Sequence, residues 1–139
     1  MTTPDTPSPT PEEAIRPLLL MAEDEEDTAS LLQFLLERAG YVVLHARDGM
    51  EAQGLVDTHD HLDLILLDIN LPFINGLDVL THIRRKPGWE RVPVIMLTAD
   101  GSEQDVRQAL RAGANDYILK PFNPRELTVR LDRFRKYLV

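Results

Sequence analysis

Five side chains that lie far apart in the sequence have types that suit phosphoryl chemistry: Glu23, Asp24, Asp68, Thr98 and Lys120. Carboxylates brought close together repel, and hold raised pKa values unless a cation joins them. Mg²⁺ accepts one or two carboxylates together with waters and phosphate oxygens. An aspartate is also a nucleophile that can form an aspartyl-phosphate. Charge developing on a transferring phosphoryl group needs fixed donors, such as a metal ion, a lysine and a hydroxyl. Taken singly, each of the five also reads as a solvated turn or cap residue. Their joint placement decides, and placement depends on the elements that carry them.

The clearest element is "LILLDINLP". Leu64 to Leu67 form an unbroken apolar run that stops at Asp68. A strand buried on both faces reads this way, and ligands in parallel sheets bind beyond the carboxyl ends of the strands. The same pattern recurs. "LLLM" is a strand that runs into Glu23-Asp24, "VPVIMLTA" ends at Thr98, and "DYILK" ends at Lys120. "YVVLHA" supplies a further strand.

Helices alternate with these strands. "DTASLLQFLLERAG" places Leu32, Leu35, Leu36 and Ala39 at helical spacing before Gly40. "DGMEAQGLVDTH" turns Ala52, Leu55 and Val56 inward, and "GLDVLTHIRR" does the same with Leu77, Leu80 and Ile83. "SEQDVRQALRAG" starts at Ser102 and is expected to bury Val106, Ala109 and Leu110. The last helix is capped by Asn123, opens with Pro124, and carries Leu127, Leu131, Phe134 and Leu138 as its stripe. Five βα units with right-handed crossovers give an α/β fold: a three-layer, doubly wound (βα)5 sandwich. The expected parallel sheet has the flavodoxin-like order 2-1-3-4-5. That order sets strands one, three, four and five side by side, so three acids, a hydroxyl and an amine meet on one rim.

The chain of 139 residues, 43% hydrophobic and 27% charged, suits one domain with a sizeable core. Residues 1–16 are rich in Pro and Thr and read as a disordered or extended tail; residues 17–139 form the domain. A net charge of −8 argues against direct nucleic-acid binding and against an anionic membrane surface. The absence of cysteine excludes disulfides and thiolate chemistry. No membrane span or targeting peptide is evident, so a cytoplasmic location is expected. The histidines at 45, 59, 61 and 82 form no ligand pattern, and "THDHLD" reads as a solvated turn on the opposite edge. Trp89 reads as loop packing on that same edge. Glu25, Glu26 and Asp27 suit the start of a helix.

With these residues in order, the chain resembles the receiver domain of two-component response regulators. The matching motifs are Glu23-Asp24, Asp68 in "LLDINLPFINGLDVL", Thr98-Ala99 in "VIMLTA" and Lys120-Pro121 in "DYILKPF", over about residues 17–138. The resemblance implies that Asp68 is the phosphoacceptor, taking its phosphoryl group from a histidine kinase or a phosphotransfer protein. It implies Mg²⁺ held by Asp24, Asp68 and the backbone carbonyl of Asn70, with Glu23 acting through water. Lys120 is then the acyl-phosphate contact, after a cis bond to Pro121. Thr98 is the hydroxyl that moves to the phosphate, and small Ala99 leaves the approach open. Tyr117 is the aromatic switch residue.

The family mechanism also implies an output face built from helix four, strand five and helix five, where a downstream protein binds. Asp116 and Arg130 match the pattern of relatives that dimerise there. Val106, Arg111 and Asp132 depart from it, which leaves a homodimer open. Polar Asn70 and Asp100 flank the phosphate position and point to a short-lived phosphoryl state. The expected protein is a switch rather than an enzyme, with Mg²⁺-dependent self-phosphorylation from small donors and autodephosphorylation. A start at Met1 with a natural-looking tail suits a stand-alone regulator. The alternatives are a degenerate receiver that binds partners without phosphorylation, and the excised receiver of a longer DNA-binding regulator. An aspartate-based phosphatase is disfavoured by Asn70, where such enzymes need a second acid. A nucleotide-binding domain is disfavoured by the absence of a glycine-rich phosphate loop.

Overall fold

A computed structural model describes residues 16–99 and 101–135. Residues 1–15 of the expected tail at 1–16, Asp100 and Leu138 fall outside the described residues. Strands and helices alternate: β1 (Leu18–Ala22), α1 (Glu26–Arg38), β2 (Val42–Ala46), α2 (Gly49–Thr58), β3 (Leu64–Asp68), α3 (Gly76–Arg85), β4 (Val94–Thr98), α4 (Glu103–Arg111), β5 (Asp116–Leu119) and α5 (Pro124–Arg135). All neighbouring strands are parallel, in the order β2-β1-β3-β4-β5. The doubly wound sandwich expected from the sequence is the observed one.

The apolar run of β3 is buried at every residue, because helices cover both faces. Alternation along the strands sorts the core into two layers. Leu20, Ile65, Leu67 and Met96 face α2 and α3 through Ala52, Val56, Val79, Leu80 and Ile83. Leu19, Met21, Leu64, Leu66, Ile95 and Leu97 face α1 and α5 through Leu32, Leu36, Leu127 and Leu131. Each such Leu or Ile contributes about 1.5–3 kcal/mol by leaving water, so the sheet is a rigid support for what stands on its rim.

Short polar residues start the helices. Asp48, Asn75 and Ser102 accept hydrogen bonds from the backbone N–H groups of Glu51, Asp78 and Asp105, satisfying donors that the first turn leaves open. Asn123 accepts from the N–H of Arg125 at the start of α5. Gly40 follows α1 at a φ of 101°, where a side chain is disfavoured.

One expectation fails in α4. Leu110 was expected inward but is 45% exposed, and Ala109 is the only fully buried residue of this helix. Val106 is half-buried, so the covered stripe of this nine-residue helix narrows to Ala109 and part of Val106.

The N-terminal edge of the sheet is tied by cations on backbone carbonyls. Arg84, at the end of α3, donates to the carbonyls of Gly113, Trp89 and Val92 and to Asn115 Oδ1. Lys86 donates to the carbonyls of Val56 and His59 and lies 4.0 Å from the centre of the Trp89 ring. Trp89 is 4% exposed, which fits its reading as packing. The histidines here have separate partners: His59 the Leu55 carbonyl, His61 Asp63, and His82 Asp57.

Candidate functional site

The carboxyl ends of β1, β3, β4 and β5 carry the residues singled out by their chemistry. Glu23 follows β1 directly and is fully buried; Asp24, next to it, is exposed. Asp68 closes β3 at 3% exposure, and Thr98 closes β4 at 2%. Lys120 follows β5, its N–H bonded to the Thr98 carbonyl at 2.8 Å and its bond to Pro121 cis. Carboxylate oxygens of Glu23, Asp24 and Asp68 lie within 4.8 Å of one another. Placement by topology therefore holds for all five residues.

The site is held from several directions. Lys120 Nζ donates to Asp68 Oδ2 at 2.7 Å and pairs with Glu23 Oε1. The other oxygen of Asp68 accepts from the Asn70 N–H at 3.1 Å. Glu23 Oε2 accepts from the Glu25 N–H at 3.1 Å. Burial pushes the Glu23 carboxyl above its usual range, against the opposite pull of its contact with Lys120. Burial also pulls the Lys120 ammonium down, but its hydrogen bonds to Asp68 and Glu23 outweigh this and hold it above its usual value.

Three carboxylates thus face one ammonium. All are hard oxygen donors at a rim open to water through Asp24 and Asn70. The donor set fits a small divalent cation such as Mg²⁺.

Close approach shapes the loop after Asp68. A Cβ on Gly76 would lie 2.1 Å from the Asp68 carbonyl oxygen, and one on Gly49 would lie 1.8 Å from that of Ile74. Glycine at both positions lets α2 and α3 start against the β3 loop. Tyr117 is half-buried against the core layer that contains α2 and α3. Asp116, 5% exposed, accepts both of its short contacts to Arg130, at 2.9 and 3.0 Å, and one from Arg133 at 3.2 Å.

Two residues at the site hold contacts that the sequence did not single out. Glu25 caps α1, accepting from the N–H groups of Asp27 and Thr28. Within a run of five acids nothing marks which one becomes the cap. His45, on β2, reaches the Glu23 carbonyl with Nε2 at 2.8 Å. Its signal, a polar residue near the end of an edge strand, is weak in isolation.

Comparison with known proteins agrees with this geometry. The response regulator receiver domain family matches residues 19–132. The transcriptional regulatory protein YrkP of Bacillus subtilis (strain 168) is 43% identical over 122 residues, which cover 87% of this chain and 51% of YrkP. The chain spans about half the length of the first curated relatives it matches. Chemotaxis protein CheY1 of Helicobacter pylori is 36% identical over 82% of this chain and 93% of its own length. Among solved structures, the receiver domain of the sensor histidine kinase PA1611 from Pseudomonas aeruginosa PAO1 superposes with a TM-score of 0.79 at 34% identity. It covers 86% of this chain and 97% of its own, and holds a magnesium ion coordinated in its active-site cleft. This chain belongs to the response regulator receiver domain family. It is a signalling domain of the phosphorylation-activated kind rather than an enzyme in the ordinary sense.

Proposed function

We propose that Asp68 accepts a phosphoryl group from a phosphohistidine, on a histidine kinase or a phosphotransfer protein, and that the resulting acyl phosphate switches a protein-binding face. The observation that carries this reading is the convergence at Asp68: Lys120 Nζ at 2.7 Å, with Glu23 and Asp24 carboxylates alongside. An oxygen of Asp68 attacks phosphorus, the N–P bond breaks, and its electron pair stays on the leaving imidazole. Lys120 releases its hold on the free carboxylate and neutralises the phosphoryl oxygens as a point charge. Asp24, Asp68 and the Asn70 carbonyl would hold Mg²⁺, with Glu23 acting through water. Bound there, the ion supplies Lewis-acid stabilisation of the charge that develops on the transferring group.

Thr98 then moves its hydroxyl to the phosphate, and Tyr117 turns inward from its half-buried position. The population shifts toward a form whose α4–β5–α5 face binds a downstream protein. The slight burial of α4 supports this, because a helix with Ala109 as its one fully buried residue is inexpensive to displace. Asp116 is already bonded to Arg130 and Arg133 within the chain, so a homodimer that recruits it must first break those contacts. The same reading takes residues 17–139 as the receiver, leaves 1–16 outside it, and suits a cytoplasmic location. Among the described residues no helix is long and apolar enough to cross a membrane.

The test is intact-protein mass spectrometry after incubation with acetyl phosphate, with and without Mg²⁺, on the native chain and Asp68→Asn. A single phosphoryl adduct that requires both Mg²⁺ and Asp68 is expected. An adduct that survives in Asp68→Asn would move the chemistry to another residue. No adduct at all would leave a phosphorylation-independent binding module.

A further inference from the structure

We infer that His45 is a positioning residue for the acid pair at the cation site, acting through the backbone rather than by touching the ion. The inference rests on the Mg²⁺ reading above. His45 lies on the edge strand β2, beside Met21 of β1 in the parallel register. Its ring crosses to the turn after β1, where Nε2 meets the Glu23 carbonyl oxygen at 2.8 Å. A carbonyl only accepts, so Nε2 carries the hydrogen and donates.

Glu23 is thereby held at every polar group. Its N–H donates to the Ala46 carbonyl at 3.0 Å, Oε2 accepts from the Glu25 N–H, Oε1 pairs with Lys120, and the carbonyl accepts from His45. The first three contacts fix the strand end and the buried side chain. The fourth fixes the plane of the peptide that joins Glu23 to Asp24. That peptide sets the direction in which the Asp24 side chain leaves the backbone. Asp24 is the exposed member of the cluster, so the backbone behind it is a main source of its orientation. A polar cavity of about 390 Å³, lined by Asp24, Gln33, His45 and Arg47 among others, flanks this side. No close packing there replaces the tether if the ring is removed. Groups that orient a metal ligand typically change affinity by about 10- to 100-fold when lost, and a tether one peptide removed from the ligand belongs at the low end.

The experiment titrates Mg²⁺ into the native chain, Asp24→Ala, His45→Leu, His45→Asn and His45→Gln. Binding is followed by calorimetry and by the amide shift of Asn70. Gln carries an amide donor about as far out as Nε2, Asn carries it too short, and Leu carries none. Binding about tenfold weaker in Leu and Asn, with Gln close to the native chain, is expected. Should Leu fail to fold, Asn against Gln makes the same comparison between two polar side chains. Native-like affinity in Leu or Asn overturns the inference, as does a Gln variant as weak as Asn. If the native chain itself takes up no Mg²⁺, or Asp24→Ala binds as well as native, the cation reading falls and the inference with it. Loss in Asp24→Ala without loss in the His45 variants removes the inference alone.

Discussion

Phe73 stands in the β3–α3 loop at a φ of 69°, with 81% of its surface in water. The loop leaves it little choice. Ile74 N–H closes on the Pro72 carbonyl at 2.8 Å, Gly76 N–H on that of Ile69 at 2.7 Å, and Gly49 N–H on that of Pro72 at 3.1 Å. The left-handed region costs a residue with a Cβ about 1–2 kcal/mol. Glycine escapes that cost but loses about 0.4–1 kcal/mol more through the freedom of its unfolded chain. Little hydrophobic burial offsets the strain, since only about a fifth of the side chain is covered; its share of the usual ~1.5–3 kcal/mol is a few tenths. Phe73→Gly is therefore expected to gain about half a kcal/mol. Phe73→Ala keeps the Cβ and loses the burial, so it should be slightly destabilised. The gap between the two variants, about 1 kcal/mol, is the firmer quantity and corresponds to roughly 3–5 °C in Tm. Urea unfolding followed by Trp89 reads it directly, because this tryptophan is 4% exposed and stands far from the substitution. An alanine variant as stable as the glycine variant would show that the loop stores no strain at Phe73.

Gly76→Ala should cost about 1–3 kcal/mol and slow phosphorylation, because its Cβ would meet the Asp68 carbonyl at 2.1 Å; native urea stability and native acetyl-phosphate kinetics would refute the close contact. Glu25→Gln should lower stability at neutral pH. The Thr28 hydroxyl, and then the Thr28 N–H, hold the Glu25 carboxyl below its usual 4.5. Folding thus favours the carboxylate, whose contribution is present above 4.5 and lost as pH falls through the depressed folded value. Thermal unfolding across that range should show the two proteins converge in acid, and a gap independent of pH would contradict the cap. Asn70→Met should lengthen the life of the phosphoryl group, by making the exposed position beside Asp68 less hospitable to water; decay of the adduct by mass spectrometry at the native rate would count against this.

The strands and the rim were legible because their signals are local. A fully apolar β3 needs cover on both faces, and the acid that ends it has nowhere to go but the edge. Once the order of strands is known, Lys120 must stand near Asp68 although fifty-one residues lie between them. Features that depend on backbone partners were not legible. Nothing in the sequence marks the Glu23 carbonyl as the target of His45, or the Gly113 and Val92 carbonyls as targets of Arg84. The strain at Phe73 is a property of the loop's closing bonds and has no compositional trace. Leu110 failed for a different reason. Helical spacing shows which residues share a stripe, but how much of that stripe the sheet covers is set by tertiary packing.

The Arg84 cluster has a mechanical consequence. Its guanidinium fastens Gly113 and Asn115, just past the end of α4, to the loop before β4, and Asn115 Oδ1 also receives the Val94 N–H. The opposite end of α4 follows the segment after Thr98, and its first residues are exposed. The helix is thus a lever with its fulcrum at Arg84 and its free arm at the exposed Glu103 end. In the switch proposed above, a small displacement of Thr98 would swing the free arm while the far end stays still, and the signal would leave sideways through the flank of the domain. Hydrogen exchange along α4 would show such leverage as protection that rises toward Gly113, and cutting the fulcrum with Arg84→Met should flatten that gradient.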